Sequence, residues 1–143
     1  MTLRLVPRLA VALVLLSGLF ACGGPVDEEW AGEEKECKTG NATDTGTTKV
    51  VLFLEGPVTA MPKGWYGDEV GDETYGLTAI RDAMYVGPML NFTTEYKVTI
   101  GSSTMVTTGT FKLTKTPTGF TGEVEYKHGS TTTTCTVELE GRR

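Results

Sequence analysis

The side chains able to do chemistry are few. His128 is the one imidazole in 143 residues. No Ser or Cys motif points at it, so a nucleophile–base pair lacks its second member. The hydroxyls of Thr131 to Thr134 follow closely, but a hydroxyl without an activating base is only a hydrogen-bonding group. The densest ionisable run is Gly67-Asp68-Glu69-Val70-Gly71-Asp72-Glu73, two acidic pairs that each follow a glycine. Four carboxylates on one loop offer the oxygens that Ca²⁺ takes. Their spacing fits neither an EF-hand loop nor a Gly/Asp nonapeptide repeat, so a solvated charged loop is the favoured reading. Glycoside hydrolysis also uses two carboxyls, but it needs them at a fixed separation in a cleft, and an acidic loop fixes none. Trp65 and Tyr66 precede the acids, and rings beside polar loops give contact area at low entropic cost. We therefore expect Trp65, Tyr66, Asp68, Glu69, Asp72 and Glu73 to form a binding loop, unless Trp65 simply plugs one end of the fold. No catalytic centre, metal or cofactor is expected.

The three cysteines divide into one and two. Residues 1–21, MTLRLVPRLAVALVLLSGLFA, place Arg4 and Arg8 before an apolar run from Leu9 to Leu16 that Ser17-Gly18 breaks. That run is too short to span a bilayer and has the charge and length of a secretory leader. Leu19-Phe20-Ala21-Cys22 then resembles the lipobox of bacterial lipoproteins, with Phe20 bulkier than usual at its position. The resemblance covers residues 1–22 only. It implies cleavage before Cys22, a diacylglyceryl thioether on its sulfur, acylation of the new amino group, and stable membrane anchoring by several chains. Gly23 and Gly24 lack the Asp that signals inner-membrane retention in enteric lipoproteins, so a bacterial envelope location with the outer membrane favoured is implied. Cys37 and Cys135 remain as a structural pair. A bridge between them closes a loop of about 100 residues, worth at most ~4–5 kcal/mol in the chain-entropy model, and an exported compartment permits it.

Charge excludes one class of partner. The chain carries 13 Lys+Arg against 18 Asp+Glu, and losing Arg4 and Arg8 with the leader leaves 11 against 18, a net charge of −7. An acidic chain without a basic cluster is no phosphate-backbone binder, so nucleic acid is not an expected partner. Asp27, Glu28, Glu29, Glu33, Glu34 and Glu36 crowd the region after Cys22, with Gly, Pro and Ala among them. Residues 22–46 are therefore expected to be an acidic flexible linker with Trp30 alone in it, and residues 47–143 a single domain.

The elements that must position any site are strands. Tyr96, Val98 and Ile100 alternate with Glu95, Lys97 and Thr99. The same period of two runs through Met105, Phe111 and Leu113, through Phe120, Val124 and Tyr126, and through Thr133, Cys135, Val137 and Leu139. Gly101-Ser102-Ser103, Thr116-Pro117-Thr118-Gly119 and His128-Gly129-Ser130 separate them as turns. Residues 94–140 thus predict a four-stranded antiparallel meander. Lys49 to Leu54 reads as a strand covered on both faces. Residues 77–86 parse either as a short helix or as a hairpin turning at Arg81-Asp82, with strand preferred. The expected fold class is all-β, a small antiparallel barrel or a two-sheet sandwich.

The function these readings imply is a non-enzymatic, lipid-anchored envelope protein whose β-domain is an interaction module. One alternative is a small-ligand carrier, with a barrel cavity expected at Met84, Met89, Leu90 and Phe92. The other is an inhibitor of a secreted hydrolase.

Overall fold

Alternation of inward and outward side chains organises the chain from Glu28 onward. The computed structural model describes residues 28–55, 60–71 and 73–141. Among them there is no helix. The strands are β1 (Glu28–Thr39), β2 (Ala42–Asp44), β3 (Thr48–Glu55), β4 (Lys63–Val70), β5 (Glu73–Ala79), β6 (Arg81–Val86), β7 (Met89–Ile100), β8 (Ser103–Lys115), β9 (Gly119–His128) and β10 (Thr131–Gly141). They form one antiparallel sheet in the order β5-β4-β3-β1-β10-β9-β8-β7-β6, with β2 against β1 off that path. One curled sheet rather than two packed ones makes the fold a small barrel, not a sandwich.

The edges of this sheet are consecutive in sequence. β5 and β6 are separated by Ile80 alone, β5 pairs with β4, and β6 pairs with β7. They are strands, as preferred, but not the hairpin around Arg81-Asp82, because they do not pair with each other. Residues 73–86 act as one bent strand serving both edges, with Asp82 at φ 51° in the bend. With β5 and β6 counted together and the short β2 set aside, the described strands make an eight-membered up-and-down ring. The Tyr85 N–H donates to the Ala60 carbonyl at 2.8 Å and stitches β6 to the segment before β4. By contrast, β5 and β7 approach within 8 Å between Cα atoms with no ladder between them. The ring therefore has a seam on that side.

The meander over residues 94–140 is present as β7 to β10, with continuous antiparallel registers. Gly101 turns the first hairpin at φ 63°, a value open to glycine at no steric cost. β3 is also as expected: Val50 and Leu52 point into the barrel, and Val51, on the other face, is equally buried.

The linker expectation fails for residues 28–44. β1 lies in the middle of the sheet between β3 and β10, so the folded unit includes Glu28 rather than starting at Thr47. Like charges did not prevent a strand, because alternation sorts them. Trp30, Gly32 and Glu34 face inward, whereas Glu33 and Lys35 face outward, where Lys35 meets Glu138 at 2.8 Å. Trp30 packs edge-on against Phe120, with ring centroids 5.1 Å apart. The leader and the lipidation position Cys22 lie outside the described residues.

One end of the barrel is filled. Leu52, Leu54, Leu90, Leu113, Phe120 and Leu139 are buried there, and Phe92 stacks on Phe111 at 4.4 Å. The cavity expected at Met84, Met89, Leu90 and Phe92 is therefore absent: Leu90 and Phe92 are packed core, and Met84 points outward with 49% of its surface exposed. A bulge in β1 brings the cysteines together. Glu36 and Cys37 together oppose Cys135, with Glu36 at φ 52°, so Cys37 faces inward although it stands an odd three positions after Glu34. The Cys37–Cys135 disulfide follows, with a Cα–Cα distance of 4.1 Å.

Candidate functional site in the barrel mouth

The other end of the barrel is open and polar. A cavity of about 460 Å³ lies there, lined from seven strands, β1, β3, β4, β5, β7, β8 and β9. Its floor is the aromatic layer above the core. Tyr66 lies 4.5 Å from Phe111 between ring centroids, and Tyr126 meets Phe111 edge-on at 6.0 Å. Tyr75 and Tyr96 stand at the rim on the two strands that flank the seam, each about half exposed.

Glu34 is the centre of this mouth. Its side chain is buried, and its Oε1 accepts hydrogen bonds from the Tyr66 and Tyr126 hydroxyls, each at 2.5 Å. A buried carboxylate is costly unless hydrogen-bonded, and two phenols are the compensation. Burial still holds the Glu34 carboxyl above the usual glutamate range, against the opposing pull of both phenols, and Asp68 adds to the rise. Burial, and after it the Glu34 charge, pushes both phenols up, so each remains a donor. Partial burial also raises the Asp68 carboxyl at the rim.

Gly109 makes the space for this arrangement. A Cβ there would lie 2.7 Å from Thr94 Oγ1, 2.9 Å from the Phe111 ring and 3.0 Å from the Tyr126 ring. Thr94 is itself buried. The Cys37–Cys135 bridge lies beside Glu34, with its sulfurs and the carboxylate within 4.8 Å of one another. Both sulfurs are bonded to each other, so this group offers no thiolate to a metal.

The expected binding loop is not a loop, and alternation divides it. Tyr66 and Asp68 point into the mouth. Trp65 points outward from β4, where its indole N–H donates to Glu55 Oε1 at 2.8 Å, so it does not plug the barrel. Glu69 lies in a different groove on the outer wall, with Glu33, Lys49, Glu138 and Glu140. Glu73 begins β5 and accepts from the Tyr75 hydroxyl. Asp72 lies outside the described residues. Because Asp68 and Glu69 face opposite sides of one strand, they cannot share a cation cage, and the calcium alternative loses its geometry.

Sequence reasoning missed Glu34 and Tyr126 as site residues. Glu34 was one acid among six in an expected linker, and Tyr126 a core position. The available signal was the order Trp30-x-Gly32-x-Glu34 leading to Cys37, a cysteine that must sit in ordered chain to bridge the last strand. His128 stands at the rim opposite Thr107, exposed and not among the cavity's lining residues, with its Nδ1 3.0 Å from the hydroxyl of Thr107. No protein-family model, curated protein or solved structure matches this chain.

Proposed function

We propose that this chain is a non-enzymatic binding protein of a bacterial cell envelope, anchored through lipid on Cys22, that holds a small molecule in the mouth of its barrel. One observation carries the reading: a cavity of about 460 Å³ opens at one end of a barrel whose other end is packed solid. That volume lies within the range of small-ligand pockets, and barrel mouths are common places for them. The direction of the chain supports the anchor. Glu28 and Trp30 lie at the packed end, where Trp30 pairs with Gly141. Cys22 is six residues before Glu28, a reach of roughly 20 Å at most. An anchor there sets the packed end against the membrane and turns the mouth away from it.

Native mass spectrometry of the protein taken gently from its own envelope tests the reading. A bound species of a few hundred daltons beyond the acyl chains is expected, and it should be lost in Thr107→Trp, which puts a large ring into the mouth. A bare lipoprotein mass in both proteins overturns the small-molecule reading. Cys22→Ser should accumulate uncleaved precursor, and normal maturation of that variant ends the lipoprotein reading.

A second reading, the interaction module, has its own observation. Val70, Ile100 and Met105 are 63%, 69% and 47% exposed on the two hairpins that project past the mouth. Apolar side chains on projecting tips suit a protein partner, a secreted hydrolase among them. A co-purifying protein lost on Ile100→Ser favours it.

A further inference from the structure

We propose that the mouth takes a small organic cation, an amine or quaternary ammonium with apolar substituents, held between the carboxylates of Glu34 and Asp68 and the rings of Tyr75 and Tyr96. This rests on the reading of the mouth as a small-molecule site and adds the charge of its ligand.

The first argument is electrostatic. Two carboxylates line the cavity, and none of its lining residues among those described carries a positive charge. His128, opposite the lining residue Thr107 on the next strand, stands at the rim, exposed to solvent and outside the cavity lining. The surrounding chain is acidic as well, at net −5. A neutral ligand leaves both carboxylates without a counter-charge in a partly desolvated space. An anion is repelled, and a cation supplies the missing charge where screening is weakest.

The second argument is geometric. Both phenols bond Oε1 of Glu34, so neither bond uses Oε2. The carboxylate is thus fixed in orientation before any ligand arrives, which lowers the ordering cost of binding. Around it stand four tyrosine rings: Tyr66 and Tyr126 at the floor, Tyr75 and Tyr96 at the rim. Ring faces attract ammonium groups and also cover apolar substituents. An inorganic cation has no use for such walls. A sugar could use the rings and the threonine hydroxyls, but it gains nothing from paired charge. The combination of carboxylates and rings is what selects an organic cation.

Calorimetric titration of the full mature chain tests this with two charged probes and their uncharged counterparts. The probes are choline against dimethylbutanol, in which carbon replaces the ammonium nitrogen, and phenethylamine against phenethyl alcohol. At least one cation should bind about tenfold or more tightly than its counterpart. That preference should vanish in Glu34→Gln, which keeps an acceptor for both phenols while removing the charge. Should Glu34→Gln not fold, Asp68→Asn at the exposed rim should lower the preference severalfold. Equal binding of the charged and neutral members, blocked by Thr107→Trp, overturns the charge inference and leaves the mouth as a small-molecule site. No binding of either cation to the wild-type chain overturns the inference, and the mass measurement then judges the mouth by itself.

Discussion

The two ends of this barrel are built from the same strands and filled by opposite chemistry. On β1 the inward positions run from Trp30, packed on Phe120, to Glu34 under two phenols. On β7 they run from Leu90 and Phe92, fully buried, to Thr94 and the half-exposed Tyr96. On β8 they run from Leu113 and Phe111 to Gly109 and Thr107. Apart from bulges on the mouth side, as at Glu36 and Cys37, the same antiparallel ladders run through both halves. The difference lies in which side chains occupy one parity, so stability is concentrated at the packed end and the mouth is free to carry polar groups that a core could not hold.

If that division is correct, the largest loss follows a cut at the boundary between the halves. Phe111 is fully buried, stacks on Phe92 and supports both Tyr66 and Tyr126. Phe111→Ala should cost about 3–5 kcal/mol in urea unfolding, and a cost near 1 kcal/mol would mean that the packed end is not where stability resides. Reduction of Cys37–Cys135 comes next. The bridge closes a sequence separation of 98 residues, and its loss should cost roughly 2–4 kcal/mol. The two effects should be close to additive unless the bridge and the aromatic floor share strain.

A smaller effect belongs to the mouth alone. Glu34 is held above its ordinary value by burial, so the folded state binds its proton more tightly than the unfolded chain does. The contribution of this group is therefore fully favourable below the unfolded value, near pH 4.5, and is lost as pH rises through the higher folded value. The difference in stability between wild type and Glu34→Gln, measured from pH 4 to 8, should move against the wild type as pH rises. A flat difference would show that the carboxyl is not desolvated. Smallest is Glu36→Gly in the bulge, where φ is 52°. Removing the Cβ there should stabilise by about 0.5 kcal/mol, and a loss would show that the Glu36 side chain holds the bulge in place.

Much of the packed end was legible in the sequence, and little of the mouth was. The meander could be read because Tyr96 to Leu139 alternate strictly and each turn carries its own Gly or Pro. β1 could not be read by composition, since averaging six acids over a window hides that Glu34 faces in while Glu33 faces out. The bulge at Glu36 and Cys37 breaks the period where a reader would look for it. Tyr66 and Asp68 were named, but as neighbours on a loop. Their association with Glu34 and Tyr126 spans 92 residues and exists only once the ring is formed, so no local motif could announce it.

The pairing of β1 with β10, from Trp30 opposite Gly141 to Thr39 opposite Thr133, has a consequence in time. These are contacts of very high sequence separation, and loop-closure entropy must be met before they form. Strands β3 to β9 can assemble by local hairpin steps, but the ring gains its last ladder only when β10 arrives. Until then one edge of β1 and one edge of β9 lie open to any other strand. The folding chain therefore passes through a state that is nearly folded and still adhesive. Docking of β10 sets Cys135 beside Cys37, and the bond between them then holds the sealed edge in place.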